Sequence, residues 1–410
     1  MEAAVGEYKS IEGIIMVGRY THKNGFQRRG SVMPLVAVIC PALLAFAALS
    51  VDIGALYDAK AELQRCADAA ALAGAGALID ERRLRNNGGM DLEIDMAARY
   101  AAYEYVTRNH VLGDGPTVSL NVLNRDGGDI VLGTLHDLSD YHETLSTVNP
   151  DDYNSVRVRV RRDAERNGPI GLFFARIMGV YTADVGAEAT ATFEDGVTGF
   201  KVTPNTSNAD LMPFALSVDV WNAMMAGTHS MGDHFSFDPD TGEVDSGSDG
   251  LDEINFYPGA GPTQLPPGNF GTVDIGGNDN STSDIVRQLL EGVNADDLAH
   301  HGGELKLGDD GTLTLDGDTG MSVGFKDALE AIIGKPRIIP LFSNAVGTGD
   351  NAQFTIVGFA GIRILDVDLT GAPDSLYLMI QRANVSEDAA ITEPGSHSSY
   401  LVYRSPRLTR

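Results

Sequence analysis

The sequence has 410 residues, with 30 Lys and Arg against 57 Asp and Glu, for a formal charge of −27. That balance excludes nucleic-acid binding, which needs basic clusters to meet phosphates, and two cysteines exclude a disulfide framework. At 43% hydrophobic, the chain can build two or three domains with at least one sizeable core, and its 47 glycines point to turns and strands rather than a helical bundle. The charge is unevenly placed: Lys9, Arg19, Lys23, Arg28 and Arg29 precede a long apolar run, whereas acids dominate beyond residue 200.

Val32 to Val51 (VMPLVAVICPALLAFAALSV) is a run without a charge. As a helix it spans about 30 Å, the thickness of a hydrocarbon core. Basic residues on its N-terminal side place that end in the cytoplasm, so the bulk of the chain lies outside. Pro34 is tolerated near the helix start, while Pro41 predicts a kink. Two forms of processing compete with a retained anchor. Ala45-Phe46-Ala47 offers an A-x-A site for secretory cleavage. RRG-SVMPLVAV resembles a prepilin leader junction after Gly30, but Leu35 stands where prepilins carry glutamate at the fifth mature position. A retained single-pass anchor is the reading preferred.

Beyond Asp52 the helical pattern continues. Ile53, Leu56, Ala59, Leu63, Ala67, Ala70 and Ala71 recur at three- and four-residue steps, and alanine's helix propensity lets the segment extend the span without a break. Its small face either packs on the chain's own domain or admits a neighbouring helix. Cys40 and Cys66, about 39 Å apart along one helix, cannot pair within the chain. An outward-facing Cys66 thiol could link two chains. The stretch RRGSVMPLVAVICPALLAFAALSVDIGALYDAKAELQRCADAAALAGAGAL resembles the N-terminal region of TadG-like proteins of the tight-adherence (Flp) pilus system. The residues that carry the resemblance are Gly30, Asp52, Leu63, Gln64, Ala67, Asp68, Ala69, Ala70, Ala71, Leu72, Ala73 and Gly74. It implies a pilin-style helix shared between the bacterial inner membrane and an envelope domain, with a structural role and no catalysis. The partners it implies are other pilus-assembly or envelope proteins.

Residues 91–108 predict a second amphipathic helix with Ile94, Ala97, Ala98, Ala101 and Tyr105 on one face. Asn154 to Arg161 alternates with period two and predicts a strand, its arginines on a solvated face. Ile170 to Met178 reads as a short helix ended by Gly179, and Val180 to Phe193 as a strand with Ala-Thr alternation. From 201 to 262 the chain turns to loops. There Asp238, Asp240, Asp245, Asp249, Asp252 and Glu253 supply oxygen ligands suited to calcium. Gly250 falls sixth from Asp245, as an EF-hand loop requires, but Gly247 is third and Phe256 twelfth. An exposed acidic loop is the competing reading. Further on, GNFGTVDIGG and TLTLDGDTG read as strand and turn. SDIVRQLLEGV, capped by Ser283 or Asp284, and VGFKDALEAIIG read as helices. PRIIPLF, QFTIVGFAGIRILDVDL and SLYLMIQRANV read as strands, an order that loosely resembles the C-terminal half of several TadG-like proteins.

Catalytic patterns are weak. Asp279-Asn280-Ser281-Thr282-Ser283 fits D-x-S-x-S, the metal loop of von Willebrand factor A domains, but lacks the flanking doubly wound pattern. His229 and His234 are five apart rather than four, and His300-His301 adjoins a glycine pair. No nucleophile elbow, phosphate loop or dinucleotide fingerprint appears in a fitting context.

The expectation is therefore an α+β protein: residues 1–30 a basic cytoplasmic tail, 31–51 a transmembrane helix, 52–80 an Ala-rich stalk, 81–200 an extracytoplasmic α+β domain, 201–265 an acidic loop-rich segment, and 266–410 a strand-rich domain. Its expected role is a membrane-anchored structural component of Flp pilus assembly, able to self-associate through the membrane and stalk helix. The alternative is a secreted acidic calcium-dependent adhesin or binding module. No cofactor other than calcium is suggested.

Overall fold

A computed structural model describes residues 32–85, 91–140, 142–259, 264–265, 268–277, 281–347 and 352–409. The basic residues of the N-terminal tail, Gly30 and Asp279 lie outside the described residues. Helix and strand are mixed, and the fold is α+β.

The first described element is a single helix, α1 (Met33–Leu78), of 46 residues, which runs through Pro41. At 1.5 Å per residue it is about 70 Å long, more than twice what a bilayer core needs. A 3-10 turn (Glu81–Arg85) and a second helix, α2 (Asp91–Arg108), follow. The two helices run antiparallel: Cys66 meets the carbonyl of Val106, while Gly74 lies against Ala98 and Ala102. The buried face of α2 is Ile94, Ala98, Ala102 and Val106, with Tyr105 exposed. The expected stripe was therefore displaced at its C-terminal end, because successive steps of four keep residue 106, not 105, over residue 94.

Behind the helices stands a five-stranded sheet in the spatial order Ile130–Gly133, Ser155–Arg162, Val185–Glu194, Val402–Leu408, Val385–Glu387. Val156, Val158 and Val160 pair with Ala191, Ala189 and Ala187, and all six bury their side chains in the same core as α1 and α2. The intervening arginines are paired: Arg159 with Glu188 at 2.6 Å, and Arg161 with Asp163 at 3.4 Å. Two of the five strands come from the last segment of the chain, which returns to pair Arg407 with Thr192 and Leu408 with Ala191.

The second sheet has eight strands, and part of it closes on itself. Ala352–Asp368 pairs with Leu313–Asp318, which pairs with Phe270–Val273, then Phe214–Ser217, then Pro336–Val346, which pairs again with Ala352–Asp368. Ala215, Val273, Leu315, Ile338 and Phe354 come from all five strands of this ring and share one core. Where the sequence reads as loops from 201 to 262, the chain forms the strand Phe214–Ser217, the helix Val218–Met225, a hairpin and the strand Glu253–Asn255. These elements are too short to show a period, yet Phe214, Trp221, Ile254 and Phe256 are buried. The expected helix over Ile170–Met178 is instead a strand pair, Ile170–Gly171 with Thr182–Ala183, around a 3-10 turn at Ala175–Met178. Helix Thr282–Glu291 is capped by Ser281, whose hydroxyl accepts from Asp284 N.

Candidate membrane anchor and its docking seam

The two halves of α1 meet different surroundings. From Met33 to Ile53 the large apolar side chains, Leu35, Val38, Leu43, Leu44 and Phe46 among them, are exposed among the described residues. An 18-residue window of this helix is apolar enough to cross a membrane, and none of it is buried in the protein. From Ala59 to Leu78 the pattern inverts. Ala59, Leu63, Cys66, Ala67, Ala70, Ala71, Gly74 and Ala75 are buried against α2 and the first sheet.

This geometry explains the small-residue motif. A β-carbon added at Gly74 would lie 2.9 Å from Val156 Cγ1 and 3.3 Å from Ala98 O, so only glycine lets helix and sheet approach this closely. Gln64 Nε2 donates to Asp68 Oδ1 at 2.8 Å and to the Glu188 carbonyl at 3.0 Å, tying the helix to the edge of the Ala-rich strand. Lys60 Nζ reaches the neighbouring carbonyl of Gly186. Asp68, Ala69, Leu72 and Ala73 are half-buried at the margins of the seam. The small face expected to serve self-association is thus consumed inside the chain. Within α1, the first half is what remains exposed to lipid or another helix.

Asp52 sits at the change between the halves. It is buried, and its carboxylate accepts three consecutive backbone N–H groups: Phe173 at 2.8 Å, Phe174 at 2.9 Å and Ala175 at 2.7 Å. A charged acceptor satisfying three orphan amides at the start of a 3-10 turn is a strong local clamp. Cys66 is buried, its thiol directed at Val106 O, and burial pushes its pKa up to about 11. It is neither outward-facing nor activated, so it cannot link two chains in the folded state.

A second junction was not legible in the sequence. Arg363, on the long strand of the second sheet, is buried and forms a fork with Glu81, Nη1 to Oε2 at 2.8 Å and Nη2 to Oε1 at 2.5 Å. Its guanidinium also lies 3.4 Å from the Phe237 ring centroid. Arg382 Nη2 donates to Leu84 O and Asn384 Nδ2 to Asp80 O. The turn that ends α1 is therefore held by the C-terminal sheet.

The six acids considered for calcium are not brought together. Among the described residues no three His, Cys, Asp or Glu side chains come close enough to hold a metal. Three of the six meet backbone amides: Asp238 accepts from Asp240 N, and Asp249 from Phe237 N and Leu251 N. Glu253 is buried and accepts from His234 N and Phe235 N, and burial raises its pKa. Asp245 sits in the hairpin strand Val244–Ser246, and Asp252 is half-buried. His234 Nε2 lies 3.0 Å from Met231 O, and His301 Nε2 2.9 Å from Ile275 O, each ring engaged with a backbone carbonyl.

A helix whose apolar half is uncovered among the described residues, and whose second half is docked into an α+β domain, has the form of a candidate anchor joined to a domain. Residues 30–77 match the Tad family model, described as Flp pilus-assembly TadE/G-like, and residues 73–191 match the Tad_C model, described as Tad-like Flp pilus-assembly. Over residues 30–191 the chain is therefore similar to the TadE/G-like proteins of Flp pilus assembly. The Asp52 clamp joins the two matched regions, its carboxylate in one and its amides in the other. No curated protein and no solved structure gives a significant match to the chain.

Proposed function

We propose that the protein is a single-pass inner-membrane component of the Flp pilus assembly apparatus, with its N-terminus in the cytoplasm and its bulk outside. In this reading it tethers or positions pilus and envelope partners through the extracytoplasmic region and performs no catalysis. The observation that carries the reading is the exposed apolar half of α1 inside a region matched by the TadE/G-like family model. The basic residues before Val32 favour this orientation. Rigid attachment suits a positioning role. The seam around Gly74, the Asp52 clamp and the Glu81–Arg363 fork leave little freedom between the helix and the domain.

The test uses a background with Cys40 replaced by Ala and cysteines placed at Asn24 or Asp58. In intact spheroplasts, a membrane-impermeant maleimide is expected to label Asp58→Cys, and to label Asn24→Cys only after lysis. Equal labelling of both before lysis would sink the topology.

A further inference from the structure

The hairpin clamped by Asp52 exposes an apolar surface. Its sequence from Ile170 to Ala183, IGLFFARIMGVYTA, contains one charge, Arg176, and no acid, in a chain of net charge −27. Leu172 and Ala175 turn inward and are buried, whereas Ile177 is 86% exposed, Phe173 73%, Met178 70% and Tyr181 64%, with Phe174 and Val180 also exposed. Large apolar side chains gathered at a tip and left in water mark an interaction surface. The turn is well built: Leu172 N donates to Tyr181 O, Val180 N to Ala175 O, and Gly179 takes a positive φ of 87° to close it.

Its location identifies the occupant. Asp52 immediately follows the last residue of the uncharged run, and its bonds to the amides of Phe173, Phe174 and Ala175 hold the tip beside α1 at that level. The exposed apolar surface of α1 thus continues sideways onto the hairpin. Tyr57, exposed on the next turn of α1, adds a second tyrosine near this level. Tyrosine rings with a polar edge, together with a lone exposed arginine whose Nε donates to the Leu172 carbonyl, match the chemistry of a membrane interface. We infer that the hairpin 170–183 is a membrane foot: Phe173, Ile177, Met178 and Tyr181 insert into the outer leaflet of the bilayer that α1 crosses. This fixes the domain at a second point and sets its tilt relative to the membrane. The inference rests on α1 being a membrane span.

The test places tryptophan at Phe46 or Ile177 in the full-length chain, reconstituted in vesicles of phosphatidylcholine and phosphatidylglycerol with brominated acyl chains. The single native tryptophan, Trp221, is buried in the second sheet's core and gives a constant background. Loss of most of the added emission in both F46W and I177W supports the membrane foot. Quenching of F46W alone, with I177W emitting as in water, overturns the foot and leaves the anchor standing. A blue-shifted but unquenched I177W means that a protein surface covers the tip, which also overturns it. No quenching of F46W rejects the anchor reading and the foot with it. M178W supplies the same readout at a second exposed position if I177W does not accumulate.

Discussion

The two halves of α1 share one continuous backbone and differ in nearly everything else. The first half carries Leu, Val, Ile and Phe on every side and buries none of it in the protein. The second half carries alanine, glycine and a few leucines on one face and buries that face completely. Large apolar groups suit lipid, which wets them from all directions, whereas small ones suit a helix that must approach another helix and a sheet. On the proposed reading, one secondary structure thus serves two solvents. The change falls at Asp52, a charge that is satisfied only because the domain delivers three amides to it.

If the comparison holds, charge in the first half has the largest effect. Leu43→Arg with Leu44→Arg costs about 3 kcal/mol each on the insertion scale, so the double variant should leave the carbonate-resistant membrane fraction. In the second half, volume rather than polarity decides. Gly74→Leu should destabilise by about 1–3 kcal/mol or prevent folding, because Val156 and Ala98 cannot both retreat. Gly76→Ala, two residues on and open to solvent, should be neutral or stabilising by up to about 1 kcal/mol. Thermal melts of the pair in one detergent make the contrast. Asp52→Asn keeps the shape but replaces one accepting oxygen with a donor, so an expected loss of about 1–2 kcal/mol should appear as faster hydrogen exchange at the amides of 173–175.

The smallest effect sharpens the comparison with the two cysteines, one in each half. Because burial holds the Cys66 thiol at a pKa of about 11, it stays protonated and shielded through pH 9. N-ethylmaleimide should therefore leave Cys66 unmodified in the folded protein and react with it only in denaturant. Modification of Cys66 in the folded protein would mean that the seam opens.

What could be read from the sequence follows from how local each signal is. The apolar run, the Ala-rich continuation and the Val-Arg strand are periodic over many residues, and their types were legible. The L-Q-x-x-A-D motif was visible as a pattern, but its reason was not. Gln64 answers to a carbonyl at Glu188, and Gly74 to Val156, both far along the chain. Asp52 is bonded to residues more than a hundred positions away, and Glu81 to Arg363. No spacing rule connects such pairs. The acidic stretch left two readings open, calcium ligands or an exposed acidic loop; among the described residues, Asx-type turns and backbone amides engage Asp238, Asp249 and Glu253. Short strands such as Phe214–Ser217 hid the second core, because four residues cannot establish a period.

The central claim is that the apolar half of α1 is a retained anchor and not a leader that is removed. N-terminal sequencing of the mature protein extracted from washed membranes tests it most directly. The account predicts a start upstream of Val32, leaving the whole span attached to the domain. A start near Ala48, after the Ala45-Phe46-Ala47 site, would contradict it and make the protein a secreted domain with a trimmed helix.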